Sequence, residues 1–215
     1  MKITIDLKIF LFALIFIFTK QIEFYVVLMT YAIVHEFGHL IFGIILGFKV
    51  ETFSITPVGL QIRFKPKIEE YNKKIEKGTK ICLKRMYLAL AGPLTNFLIV
   101  FILIILGNIA NIPKTMFTNE IAIYSNILIA IFNLIPIYPL DGGRILKEIL
   151  HIKLGLKKAY YYTNKIANIT MIALMFISSI LILYIHNIAI IIILIYLGYL
   201  VLKNNKNYYL IETWK

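Results

Sequence analysis

Phe24-Tyr25-Val26-Val27-Leu28-Met29-Thr30-Tyr31-Ala32-Ile33-Val34-His35-Glu36-Phe37-Gly38-His39-Leu40-Ile41-Phe42-Gly43-Ile44-Ile45-Leu46-Gly47 is an apolar run interrupted near its middle by two histidines and a carboxylate. About 20 such residues are enough for a helix to cross the hydrocarbon core of a bilayer. Ionisable groups are costly there and usually mark function. Residues four apart on a helix share a face, so His35 and His39 can present two imidazole nitrogens to one metal ion. Glu36, about 100° round the helix from His35, can reach a metal-bound water without being a ligand. A catalytic zinc site keeps its fourth position for water and lowers that water's pKa to about 7. Glu36 is then the group to accept the water's proton and pass it to a leaving amine. The plain alternative for one such histidine is a hydrogen-bonded contact in a helix bundle. Three polar groups within five residues weigh against it.

The rest of the chain agrees with a membrane setting. Of its 215 residues, 60% are hydrophobic and 16% charged, against about a quarter charged in soluble domains. Apolar segments fall at about 7–20, 24–47, 87–107, 120–137, 166–185 and 187–202. The expected fold is an all-α polytopic membrane protein: one domain over 1–215, with about six transmembrane helices. The first segment is the weakest, because Lys8 and Lys20 must reach opposite interfaces. Residues 1–6 alternate polar and apolar and predict a short strand. Phe48 to Phe64, around Thr56-Pro57-Val58-Gly59, predicts a β-hairpin or small sheet. Residues 65–85 read as a charged, solvated connector, and 138–165 as a basic loop.

The net charge is +12. With six spans, 21 of the 23 Lys and Arg residues fall on one side and only Lys20 and Lys114 on the other. The positive-inside rule places that basic side, with both termini, the hairpin and the active-site opening, in the cytoplasm. The basic residues follow topology and form no separate patch, so nucleic acid is not an expected partner. Cys82 stands alone, which excludes a disulfide framework. The first apolar run has no small-residue cleavage site, so no signal peptide is expected.

Zinc needs a third protein ligand. Glu23 and Glu120 lie at the far ends of their segments, and Glu69, Glu70 and Glu76 in the charged connector. Asp141 stands out within Asn133-Leu134-Ile135-Pro136-Ile137-Tyr138-Pro139-Leu140-Asp141-Gly142-Gly143-Arg144. Two prolines end a helix there and two glycines permit a sharp turn. The residues alone leave Asp141 open between metal ligand and helix N-cap. His39 lies roughly 12 Å inside its helix end, so a shared metal requires either that 134–141 dips into the membrane or that the second helix projects beyond it.

His35-Glu36-Phe37-Gly38-His39 in a membrane helix, Ala91-Gly92-Pro93-Leu94-Thr95-Asn96, and the Asn133–Gly143 stretch occur in an order that resembles the site-2 proteases, intramembrane zinc metalloproteases. The resemblance covers about residues 1–202. It implies zinc as the cofactor, Asp141 as the third ligand, Glu36 as the catalytic group, and Asn133 as a polar residue aiding the oxyanion or holding the substrate. An interhelical hydrogen bond is the competing role for Asn133. The six-helix layout with an N-terminal strand is similar to the branch of stage IV sporulation protein FB. That branch implies a membrane-associated sigma-factor precursor as the substrate and membrane-bound inhibitor or activator proteins as partners. Its members usually carry a C-terminal CBS domain, whereas about a dozen polar residues follow the last apolar segment here, so nucleotide control is not expected. The short outer loops leave no room for a PDZ domain. The competing classes are a non-catalytic zinc-binding pseudoprotease, which the intact Glu36 opposes, and a metal transporter. The transporter is opposed by the positions of His151 in a basic loop and His186 at the opposite face.

Overall fold

The computed structural model describes residues 2–56, 59–65, 76–109, 115, 118, 120–185, 198–199 and 201. Among these the order is β1 (Lys2–Ile5), α1 (Lys8–Phe18), α2 (Ile22–Ile45), β2 (Lys49–Thr56), β3 (Gly59–Lys65), α3 (Glu76–Ile109), α4 (Glu120–Leu134), α5 (Asp141–Leu154) and α6 (Leu156–Ile185). The chain divides into two compact units, residues 1–133 and 134–215.

In the first unit, the expected strand and hairpin form a three-stranded sheet ordered β1-β2-β3. β1 pairs parallel to β2, with Lys2 opposite Thr52. β2 pairs antiparallel to β3, with Phe53 opposite Ile62 and Thr56 opposite Gly59. The hairpin tip, Pro57 and Val58, lies outside the described residues. The arrangement leaves β3 at a sheet edge, packed along α2. α2 runs the full 24 residues of its apolar stretch, and Gly47 at φ 84° follows its last turn in the left-handed region that suits glycine. α1 is only 11 residues, roughly 16 Å of helix, shorter than the segment 7–20 expected from composition.

Val27, Tyr31 and Ala32 of α2 form a buried cluster with Ala122 and Ile129 of α4, and Ile99 and Leu103 of α3 pack against it. α2 and α3 approach closely: a Cβ at Gly38 would overlap the Thr95 side chain and press on the Ala91 carbonyl. Small residues allow this spacing where lipid supplies no hydrophobic drive between helices.

Two expectations about loops are corrected. Residues 76–85 belong to α3, which is 34 residues long. The lysines and Glu76 that suggested a connector are good helix formers continuous with the apolar stretch. In the second unit, the expected basic loop 138–165 contains α5 and the start of α6. Ile145, Leu146, Ile149 and Leu150 recur at helical spacing among the charges. α6 begins ten residues before the segment expected at 166. It packs on α5, and Lys147 Nζ donates to Tyr160 Oη at 2.7 Å.

Six helices are thus present among the described residues. Two of them, α2 and the Gly78–Gly107 part of α3, are long and apolar enough to cross a membrane. Most of the expected segment 187–202 lies outside the described residues.

Candidate metal centre

His35 and His39 are both buried on α2, with their rings at 84° and centroids 4.8 Å apart. His39 Nδ1 is 2.7 Å from the backbone oxygen of Leu88 on α3. A carbonyl oxygen can only accept, so Nδ1 carries the proton and Nε2 of the neutral ring is left as a lone pair.

The state of His35 follows from a longer chain of contacts. Asn126 Nδ2 donates to Ala122 O at 2.8 Å. That bond turns the Asn126 carbonyl the other way, where it accepts from Asn96 Nδ2 at 2.8 Å. The Asn96 carbonyl then faces His35 Nδ1 at 2.6 Å and accepts its proton. Both asparagines are fully buried.

With both rings neutral, as metal-ligating imidazoles are, the two Nε2 atoms meet 3.2 Å apart, each with its lone pair toward the other. Facing lone pairs repel, and a cation relieves them. Two nitrogens each about 2.0–2.1 Å from a tetrahedral zinc lie roughly 3.3–3.4 Å apart, close to the observed spacing. α3 also leaves room: a Cβ at Gly92 would overlap Nε2 of both histidines. The donor set, its tautomers and the glycine opposite them fit a zinc ion.

Glu36, half-buried, accepts a hydrogen bond from the Ile62 backbone N–H at 3.2 Å. This N–H points away from β2, from the edge of β3 that no other strand covers among the described residues, so the glutamate sits beside that edge next to the two histidines.

Asp141 lies in the second unit. It is buried in the first turn of α5, and Arg144 Nη1 donates to its Oδ1 at 3.5 Å. Leu140, not Asp141, occupies the N-cap position, so the expected alternative of a capping aspartate is not what the backbone adopts. The following glycines are required by crowding. A Cβ at Gly142 would overlap the carbonyls of Leu134 and Ile135, and one at Gly143 would overlap Ile137 and Tyr138 backbone atoms.

Asn133, near the end of α4, donates through Nδ2 to Ile129 O at 3.0 Å. His151 lies beside Glu148, 3.6 Å away on α5, and His186 is outside the described residues. Cys82 is buried in α3, not in a loop. Asn96, Asn126, Leu88 and Ile62 carry no role that the sequence alone assigns. Two asparagines inside apolar helices were the available signal; the backbone groups of Leu88 and Ile62 left none.

These features match known proteins. The family model of Peptidase family M50, the site-2 proteases, matches residues 23–120 and 107–178, and the chain belongs to that family. A zinc metalloprotease of Methanocaldococcus jannaschii is 30% identical over 148 residues, covering 66% of this chain and 38% of that protein. Stage IV sporulation protein FB of Bacillus subtilis is 24% identical over 160 residues, covering 74% of this chain and 51% of that protein. The chain thus matches about half or less of the length of these relatives. A solved site-2 protease from Methanocaldococcus jannaschii superposes with a TM-score of 0.68 over 94% of this chain and 90% of that one. At 22% identity, that likeness is one of fold.

Proposed function

We propose that this protein is a membrane-embedded zinc endopeptidase, a single peptidase domain that cuts a membrane-associated regulatory protein. The observation that carries the reading is the pair of Nε2 lone pairs 3.2 Å apart, both Nδ1 protons being committed elsewhere, one residue from Glu36. His35 and His39 hold the ion through Nε2, and Asp141 supplies the third ligand. When bound, zinc supplies Lewis-acid polarisation of the scissile carbonyl and a water acidic enough to ionise near neutral pH. Glu36 takes the water's proton and delivers it to the leaving amine. Asn133 steadies the oxyanion or the substrate strand.

A helix hides its carbonyls, so the substrate must be extended at the cut. The edge of β3 away from β2, uncovered by another strand among the described residues, is suited to accept it as an added strand, and the Ile62 N–H at Glu36 supports placing that strand beside the general base. The distribution of basic residues supports a cytoplasmic opening and cytoplasmic termini. Similarity to stage IV sporulation protein FB supports a sigma-factor precursor as substrate and membrane-bound regulators as partners. Similarity to the zinc metalloprotease of Methanocaldococcus jannaschii supports the protease class without a sporulation substrate, and the second reading is a substrate from another signalling pathway.

The test is zinc content of the detergent-purified protein, together with cleavage of a co-expressed candidate substrate. About one zinc is expected in the wild type and in Asp6→Ala, with a clear loss in His35→Ala, His39→Ala and Asp141→Ala. Glu36→Gln should keep zinc and lower cleavage roughly 10²–10⁴-fold. Asn133→Ala should lower turnover more than zinc content. A folded wild type without zinc overturns the metalloprotease reading, and cleavage unchanged in Glu36→Gln returns the chain to the pseudoprotease class.

A further inference from the structure

Asn126 touches neither zinc ligand nor Glu36, yet its orientation has consequences at His35. A buried amide side chain can present either end to a neighbour, and the two ends are nearly the same shape. In this unit a single group removes the choice. The Ala122 carbonyl accepts only, so Asn126 must aim its NH2 there and its oxygen at Asn96. Asn96 must then aim its NH2 at Asn126 and its oxygen at His35. That oxygen requires a proton on Nδ1, which leaves Nε2 bare.

Were Asn96 to turn over, its NH2 would face Nδ1 and favour the other tautomer, with a proton on Nε2 where the ion must bind. His39 needs no such chain, because a backbone carbonyl fixes it directly.

We propose that Asn126 and Asn96 are positioning residues, a directional amide relay from α4 through α3 that sets the tautomer of the metal ligand His35. The inference rests on the zinc reading given above. Partners of this kind commonly contribute 10- to 100-fold in metal affinity. The competing role is a polar clamp between helices, which predicts a different pattern of substitutions.

Zinc affinity of the solubilised full chain, measured by competition with a chelator of known strength, separates the two. Thermal midpoints of the metal-free proteins are read in parallel. Asn126→Leu keeps the branched outline, though it is larger, and frees Asn96 to turn, so affinity should fall about 10-fold. Asn126→Ser should fall equally, because its hydroxyl bonds back to its own helix; this smaller variant decides the matter if the leucine variant does not fold. Asn126→Asp should stay within about threefold of the wild type. Its neutral carboxyl can donate to Ala122 O and accept from Asn96, restoring the direction of the relay. Asn96→Leu should fall about 100-fold.

Leucine and serine variants that hold zinc as tightly as the wild type would overturn the relay, as would leucine, serine and aspartate variants that weaken alike. His39→Ala is the control for the underlying reading. If the wild type holds zinc no better than His39→Ala, the metal site itself fails, and the relay fails with it.

Discussion

The histidine pair on α2 and the turn before Asp141 are both built to hold polar groups in an apolar setting, and they do so by different physics. Around the histidines the constraint is hydrogen bonding: a backbone oxygen fixes one ring and two amides fix the other. Around Asp141 the constraint is crowding. Gly142 and Gly143 lie so close to backbone atoms of 134–138 that no side chain fits, and Arg144 reaches the aspartate only by a long contact of 3.5 Å. Hydrogen bonds set which atom carries the proton, as a ligand histidine needs. An ionised aspartate offers two equivalent oxygens, so fixing its backbone is enough.

The sharpest way to break this contrast is to introduce crowding where hydrogen bonds govern. Gly92→Ala puts a methyl group against Nε2 of both histidines. Alanine is favoured over glycine in a helix by about 1 kcal/mol, so α3 should persist. Zinc affinity should fall by more than about 100-fold, beyond the 10- to 100-fold typical of lost supporting contacts. Chelator competition and the thermal midpoint of the metal-free protein measure the two effects together. A stable Gly92→Ala protein with unchanged zinc affinity would show that the histidines bind their ion elsewhere.

The contrast also explains what was legible in the sequence. His35, Glu36 and His39 announce themselves because three polar groups in an apolar run are expensive. Asp141 was visible through the prolines and glycines around it, and the hairpin through its alternation. The helical character of 76–85 was hidden, and that of 141–154 showed only in the N-cap alternative for Asp141, because charged helix formers lower local hydropathy without weakening the helix. Asn96 and Asn126 lie 61 and 91 positions from His35, and their order of donor and acceptor depends on Ala122 O, an atom every residue has. No spacing rule reports such a contact. For the same reason Leu88 and Ile62, which act through their backbone, could not be read.

A second test acts on the turn. Gly142→Ala also gains helix propensity, about 1 kcal/mol in its favour. The added methyl meets backbone carbonyls, which cannot rotate away as a side chain end can. Overpacking costs about 1–3 kcal/mol, so strain should win, and the thermal midpoint should drop by several degrees. The contrast predicts a lesser loss of zinc affinity than in Gly92→Ala, since the methyl disturbs the backbone of the turn and not the ligand nitrogens. A midpoint at or above that of the wild type would show that the turn is free to relax and that crowding does not hold Asp141.

The smallest effect is expected at Arg144. Its contact with Asp141 is 3.5 Å, and a third of the arginine side chain is exposed, so solvent screens the pair. Partly exposed ion pairs contribute about 0–1 kcal/mol. Arg144→Gln, which keeps a donor while removing the charge, should therefore change zinc affinity by no more than about fivefold. On the proposed three-ligand reading, Asp141→Ala should weaken zinc binding far more. A loss above about 10-fold in Arg144→Gln would mean that the guanidinium anchors the carboxylate as firmly as the Leu88 carbonyl anchors His39. Asp141 too would then be held by hydrogen bonding, and the glycines would serve the turn alone.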